Sequence, residues 1–172
     1  MKFVVDGMLG KLSRWLRILG NDVFYSIESN DAQILEISKK EDRVLLTKDL
    51  ELYKRAICRG LGAYYVEGKS GSEFLAELAK RYGLQLTIDL DKSRCPICNS
   101  KIQKAAKEEL ADQLEKNTYT YYYEFWKCSN CGQIYWRGAH WKQINSTLTQ
   151  AGVELKKLEK IKAQDSHFKG IS

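Results

Sequence analysis

The side chains best suited to bind a metal are four cysteines in two C-x-x-C pairs, Cys95/Cys98 and Cys128/Cys131. Each pair presents two thiolates from one tight turn, and two such turns complete a tetrahedron around Zn²⁺. Gly132 follows the second pair and permits the positive backbone torsion that such turns often need. Because four protein ligands leave no position for water, the spacing predicts a structural zinc site. The alternative interpretation is four reduced thiols or a single redox pair.

Three aspartates, Asp6, Asp31 and Asp49, lie close to the ends of predicted strands. In a parallel sheet they would meet at the carboxyl edge, where open α/β sheets bind ligands. Carboxylates brought together repel one another unless a divalent cation neutralises them, and Mg²⁺ or Mn²⁺ prefers oxygen ligands. One or two such ions can activate a water for attack on a phosphodiester. The alternative is that Asp31 only caps a helix and Asp49 only forms a turn.

Short apolar runs and amphipathic stretches alternate through residues 1–90, and they must position these acids. The predicted strands cover four runs: Lys2–Val5, Val23–Tyr25, Arg43–Thr47 and Ala63–Val66. The predicted helices cover the stretches between and after them: Lys11–Leu19, Asp31–Lys40, Leu52–Ile57 and Ser72–Tyr82. This alternation favours a parallel sheet with right-handed crossovers. The sequence therefore predicts the α/β fold class, with a parallel sheet flanked by helices.

The character of the sequence changes after residue 90. Its pattern predicts a helix over 102–116, an aromatic-rich strand over 119–127 and a strand over 133–137, which would form a zinc-ribbon hairpin with a helical insert. From Trp141 onwards, apolar residues recur every three or four positions, which predicts a C-terminal helix interrupted at Gly152. We therefore predict three segments: an α/β domain over 1–90, a zinc ribbon over 91–145, and a C-terminal helix and tail over 146–172.

Composition excludes several classes of protein. The 172 residues are 44% hydrophobic and 29% charged, as in a soluble globular protein and unlike a disordered chain. No run of about 18 apolar residues occurs, so we expect no membrane span, no secretory leader and a cytoplasmic location. The net charge is +6, carried mostly by the second half of the chain, which is compatible with a nucleic-acid partner.

Two further groups of residues point to nucleic acid. Lys11, Arg14 and Arg17 recur at every third position of the first predicted helix, opposite its apolar stripe. They are either a solvated face or cations that attract phosphate beside the carboxylates. The run from Tyr119 to Trp126 is aromatic on both faces, so one face is expected in the core and the other could stack bases.

Five motifs occur in order: Asp6–Leu12 (DGMLGKL), Arg14–Gly20 (RWLRILG), Leu46–Asp49 (LTKD), Arg94–Asn99 (RCPICN) and Tyr135–Trp141 (YWRGAHW). Over about residues 1–145 the chain thereby resembles the mutator-seven C-terminal RNase domain family, a PIN-like nuclease fold with an attached zinc ribbon. The resemblance implies that Asp6, Asp31 and Asp49 hold Mg²⁺ or Mn²⁺ for RNA cleavage, and that the four paired cysteines bind zinc. The 29 residues between the two cysteine pairs exceed the spacing of the compact zinc pattern. PIN-like nucleases commonly use four acids, and either Glu51 or Glu73 could be the fourth here.

These observations together predict a metal-dependent ribonuclease, an endonuclease acting on single-stranded RNA. Lys11, Arg14 and Arg17 would attract the strand, and the zinc ribbon would orient RNA or brace the catalytic domain. Both histidines, His140 and His167, lie far along the chain from the serines and Cys58 of the first domain, which favours metal hydrolysis over covalent catalysis. Two alternatives stay open: a non-catalytic RNA- or ribosome-binding protein on the same fold, and a protein–protein adaptor. The sequence predicts no oligomeric state.

Overall fold

Two compact units make up the part of the chain that the computed structural model describes, residues 1–67 and 70–168. The first unit combines Met1–Glu67 with Ile88–Arg137, and the second contains a pair of long helices. The segment boundaries predicted after residues 90 and 145 stay predictions.

A four-stranded parallel sheet lies at the centre of the first unit. Its strands are β1 (Lys2–Val5), β2 (Asp22–Tyr25), β3 (Val44–Thr47) and β4 (Ala63–Tyr65), in the order β2-β1-β3-β4. Three helices connect them: α1 (Gly10–Ile18), α2 (Asp31–Glu41) and α3 (Leu50–Cys58). The predicted α/β fold class is confirmed, and each of these elements lies within a few residues of its predicted bounds.

Apolar burial on the central strands holds this sheet together. Phe3 and Val4 of β1 and Leu45 and Leu46 of β3 have no exposed surface. Such uninterrupted burial is expected of parallel strands whose two faces are covered. One core cluster brings together residues of the sheet, α2 and α3: Val4, Ile34, Leu35, Leu45, Leu52, Ala56 and Ala63. The carboxyl ends of β1 and β3 are therefore fixed side by side.

Two helices, α4 (Gly71–Tyr82) and α6 (His140–Phe168), pack against each other in the second unit. Leu148 and Ala151 of α6 are buried, and the helix continues through Gly152. The interruption predicted at Gly152 is therefore wrong, because the burial of Leu148 and Ala151 in the preceding turn outweighs the glycine's cost of about 1 kcal/mol. Within the described ranges, no helix combines the length and hydropathy needed to cross a membrane.

A small antiparallel sheet carries the cysteine pairs in the first unit. Its strands are β5 (Ile102–Ala105), β6 (Phe125–Cys128) and β7 (Ile134–Trp136). The helix predicted over 102–116 is wrong, since β5 pairs with β6 along its whole length and a 3-10 helix follows at 107–110. The strand predicted over 119–127 is wrong in its first half, where the short helix α5 (Lys116–Tyr121) forms. Cross-strand pairing and burial of Ile102 and Phe125 outweigh local helix propensity here.

Candidate functional site

The four paired cysteines converge on one point. Their Sγ atoms all lie within 4.8 Å of one another, with 3.6 Å between Cys95 and Cys131 and 3.4 Å between Cys98 and Cys128. A tetrahedral zinc with Zn–S bonds of about 2.3 Å needs sulfurs roughly 3.8 Å apart. Small outward shifts of the thiolates therefore accommodate the ion. The donor set fits a closed, structural zinc site.

The acidities of these thiols also fit a cation site. Burial raises the pKa of Cys98, but hydrogen bonds, first among them those from Ser100, lower it to about 5. A backbone hydrogen bond from Gln133 lowers the pKa of Cys131, but desolvation and hydrogen bonds with the other cysteines raise it to about 12. Thiolates this close repel one another, so the four ionise together only with a cation among them.

Donors around the cluster fix the sulfurs. The Tyr135 hydroxyl lies 3.0 Å from Cys95 Sγ, and burial raises the pKa of Tyr135 above its usual range, so the protonated phenol donates to sulfur. The backbone N–H groups of Cys98 and Cys131 donate to Cys95 Sγ and Cys128 Sγ, each at 3.5 Å. Each pair therefore forms a turn in which the second cysteine's backbone supports the first cysteine's sulfur.

Arg17 joins the first cysteine turn to the parallel sheet. Its side chain is 5% exposed, and its guanidinium donates to Pro96 O at 3.0 Å and to Ile97 O at 2.9 Å, the two residues between the cysteines of the turn. It also donates to Val23 O of β2, at 2.9 Å from Nη2 and 3.3 Å from Nε. This placement differs from the solvent-facing, phosphate-attracting role that the sequence suggested. Because the guanidinium donates hydrogen bonds to these three carbonyls, it holds the turn against the sheet.

Asn99, which follows the first turn, completes this attachment. Its backbone is left-handed (φ 69°), and its Oδ1 accepts from Val23 N at 2.9 Å. Its Nδ2 donates at 2.8 Å to Asp22 Oδ1, which also accepts from Arg43 Nη1 at 2.9 Å. Burial raises the pKa of Asp22, but hydrogen bonds from Arg43 and Asn99 and the charges of Arg43 and Arg94 lower it overall. Because β2 is an edge strand, these bonds also protect an exposed edge of the sheet.

Asp6 and Asp49 lie at the carboxyl ends of neighbouring strands and are linked by Thr47. The Thr47 hydroxyl donates to Asp6 Oδ2 at 2.8 Å and accepts from the backbone N–H of Asp49 at 2.9 Å. Thr47 is fully buried, whereas Asp49 is exposed and Asp6 half-buried. Asp49 also caps α3, since its Oδ1 accepts from Glu51 N and Leu52 N at 2.8 and 3.0 Å. Asp49 is therefore a helix cap, where the alternative to a metal ligand predicted only a turn residue.

Asp31 is held differently, at the start of α2. Asn30 is the N-cap of that helix, so Asp31 does not supply the cap itself. Its Oδ2 instead pairs with Arg55 Nη1 of α3 at 2.7 Å. The three carboxylates do not form a tight group: among the residues described, only the cysteine cluster contains three or more candidate ligand atoms all within 4.8 Å. The structure therefore joins Asp6 to Asp49 and places Asp31 beside α3.

Each of these carboxylates keeps one oxygen for another ligand. From the described residues, Asp6 Oδ1 accepts only a long contact of 3.5 Å from Met8 N. In the described part of the chain, Asp31 Oδ1 and Asp49 Oδ2 accept no hydrogen bond. Monodentate carboxylate oxygens with waters completing the shell are the arrangement that Mg²⁺ favours. The oxygens left available on these three side chains are therefore of the type that a hard divalent cation binds.

The remaining candidates lie on exposed surface. Lys11 and Arg14 of α1 are exposed, as a role in attracting RNA requires. Glu51 pairs with Lys54 at 2.9 Å and is three-quarters exposed. Glu73 serves in the capping box of α4. The choice between Glu51 and Glu73 as a fourth ligand therefore stays a prediction.

Sequence reasoning missed Thr47, Asn99 and Arg55. The first two lie inside motifs that carry the family resemblance, next to a candidate acid and a cysteine, so their position was an available signal. Arg55 had none, because its pairing with Asp31 depends on how two helices cross the sheet.

A sequence model of the Mut7-C RNAse domain family matches residues 1–148. The match spans the parallel sheet, both cysteine pairs and the start of α6, so the chain belongs to this family and the resemblance noted above is confirmed. Searches of curated proteins and of solved structures returned no match.

Proposed function

We propose that the protein is a metal-dependent ribonuclease that hydrolyses RNA phosphodiesters at Asp6, Asp31 and Asp49, in the presence of Mg²⁺ or Mn²⁺. Membership of an RNase domain family supports the reaction class. We further propose that zinc in the four-cysteine site is structural, that the substrate is single-stranded RNA, and that cleavage is internal to the strand.

The observation that carries the proposal is the Asp6–Thr47–Asp49 link. A buried hydroxyl orients one carboxylate and anchors the backbone that carries the other, so both are held at one edge of a rigid sheet. Helices and strands hold reacting groups in position more precisely than loops do. Two acids that only capped helices would not need a shared buried threonine between them.

The protein's own residues have defined tasks in this scheme. Asp6, Asp31 and Asp49 would hold the cation through the oxygens that lack strong protein partners, and Thr47 and Arg55 keep these carboxylates oriented. When bound, a divalent cation supplies a nucleophilic water and stabilises charge on the phosphate. Lys11 and Arg14 attract the backbone of the strand.

The test is cleavage of end-labelled single-stranded RNA with Mg²⁺, with Mn²⁺ and without added divalent ion. Chelators are avoided because they would also remove zinc. Asp6→Asn and Asp49→Asn should each lower the cleavage rate at least about 100-fold. Even substitutions of residues that only support a metal ligand lower activity or metal affinity about 10- to 100-fold. Thr47→Val should lower the cleavage rate about 10- to 100-fold. Thr47→Ser, which keeps the hydroxyl, should retain most of the wild-type rate.

Asp112→Asn is the matched control, because Asp112 is an exposed aspartate on the insert. It should cut at the wild-type rate. Cleavage that survives both Asp6→Asn and Asp49→Asn would refute the site. RNA binding without cleavage under any ion would favour the non-catalytic binding protein, and absence of RNA affinity at low salt would favour the adaptor.

A further inference from the structure

We infer that the insert between the cysteine pairs carries a stacking platform for unpaired bases of single-stranded RNA, formed by Lys107, Tyr119, Tyr121 and Tyr123. The inference rests on the proposed function in one respect, because it takes RNA as the ligand. Its residues are separate from Asp6, Asp31 and Asp49.

The platform is built around a cation on two aromatic rings. Lys107 Nζ lies 4.6 Å from the ring centroid of Tyr119 and 4.3 Å from that of Tyr123. Within the described ranges, no carboxylate pairs with this ammonium. Ring faces and a positive charge are therefore presented together, which is the combination that single-strand binders use for bases and phosphates.

The tyrosines are far more exposed than packing alone explains. Tyr121 is 74% and Tyr123 78% exposed, more than any other aromatic residue whose side chain is described. The same aromatic run buries Phe125 and Trp126 almost completely, so the fold had core positions for rings and placed these two outside. Exposed aromatic clusters mark binding surfaces in soluble proteins.

The surface is also held in place before any ligand binds. Leu110, at the end of the 3-10 helix that begins with Lys107, is buried. Lys127 Nζ of β6 donates to Gln113 Oε1 at 2.9 Å, which ties the insert to the small sheet. A preorganised surface loses less conformational entropy when a strand docks.

The cation at the rings, and not the net charge of the insert, favours RNA as the ligand, since residues 99–127 contain five acidic and five basic residues. The acid inside the aromatic run, Glu124, is already paired with Lys104 at 3.4 Å and Arg137 at 3.7 Å. Its repulsion of phosphate is therefore offset. A cavity of about 590 Å³ opens on the same insert and is lined in part by Thr118, the residue before Tyr119, and by Trp136. The insert thus has room for more of the strand.

The test is binding of a fluorescent single-stranded RNA of about 12 nucleotides to the full chain, followed by anisotropy without added Mg²⁺ or Mn²⁺, so that the RNA is not cut. Tyr123→Ala and Tyr121→Ala should each weaken binding about 5- to 30-fold. Tyr123→Phe should bind like wild type, because it keeps the ring. Ile57→Ala, which truncates an exposed apolar residue on α3, should have no effect.

Duplex RNA supplies the second arm, since its bases are already stacked. The tyrosine variants should leave duplex affinity unchanged, and RNA carrying 5-iodouridine should crosslink to peptides containing Tyr121 or Tyr123. Wild-type affinity in the Tyr121→Ala/Tyr123→Ala double variant would overturn the inference while leaving the nuclease proposal intact. Equal losses for duplex and single strand would overturn it too, as would capture of a protein partner by a chain that binds no RNA. If the wild-type chain cleaves no RNA but the tyrosine variants still weaken single-strand binding as expected, the result would count against the nuclease proposal alone.

Discussion

Replacing Arg17 by alanine should destabilise the protein and loosen its zinc site, although Arg17 lies outside the four cysteines. The guanidinium makes four hydrogen bonds to three carbonyls and is 5% exposed. A hydrogen bond from a charged group contributes about 1.5–3 kcal/mol, and such bonds within one group are not additive. We therefore expect the free energy of unfolding to fall by about 3–5 kcal/mol, a large share of the usual 5–15 kcal/mol.

Thermal unfolding and zinc release measure the two consequences. The expected loss corresponds to a fall in Tm of roughly 6–20 °C. Because Arg17 holds the peptide between Cys95 and Cys98, its removal also makes the zinc-bound turn less favourable. Transfer of zinc to a coloured chelator should therefore be faster or more complete in Arg17→Ala than in wild type.

Arg14 provides a matched control, since it lies one turn earlier on the same helix and is exposed. Arg14→Ala should keep stability within about 0.5 kcal/mol and should lower RNA affinity instead. Arg17→Lys should stay unstable, because one ammonium cannot replace the planar, five-donor guanidinium. Wild-type stability and zinc retention in Arg17→Ala, with weakened RNA binding, would refute the reasoning and restore the phosphate-binding role.

Three further predictions test the same attachment. Chelation should release one zinc per chain and lower Tm, and a chain that keeps its Tm would not have a structural zinc site. Gly20→Ala should cost about 1–3 kcal/mol in unfolding experiments, because Gly20 has φ +83° and an added Cβ would lie 3.0 Å from Lys92 O; Gly60→Ala, with φ +69° and open space, should cost less. The lowered pKa of Asp22 means that its stabilising contribution is present at pH 7 and lost as pH falls below about 4. The Tm difference between wild type and Asp22→Asn should accordingly shrink on acidification, whereas a constant difference would contradict that assignment.

The parallel sheet could be predicted from sequence because its signals are local. Phe3–Val5 and Leu45–Leu46 are continuous apolar runs, and each is followed by a turn and an amphipathic stretch. The insert could not be predicted in the same way. Its first strand has the composition of a helix, and only pairing with β6, about 20 residues later, makes it extended. The zinc site needed neither element, since paired cysteines at close spacing were sufficient.

The role of a single charged residue could be predicted only where it does not depend on contacts from a distant part of the chain. Arg14 and Arg17 look alike in sequence, on one side of an amphipathic helix, yet one is exposed and the other buried under the first cysteine turn. Their difference comes from the turn itself, which arrives about 80 residues later in the chain. The turn-residue and metal-ligand interpretations of Asp49 could not be separated from sequence either, because its carboxylate has two oxygens and one of them caps α3.

Strand β2 connects the Cys95–Cys98 turn to the edge of the sheet that carries Asp6 and Asp49. At its start, Val23 exchanges hydrogen bonds with Arg17 and Asn99. At its end, the Tyr25 hydroxyl donates to Gly7 O at 3.0 Å, next to Asp6, and Gly10 has no room for a Cβ because that atom would lie 2.7 Å from the same hydroxyl. Val23 and Tyr25 are only about 7 Å apart along the strand. A turn closed by the proposed zinc ion would support the strand that positions the loop after Asp6, which would give a physical reason for one chain to carry both the four-cysteine site and the candidate catalytic acids.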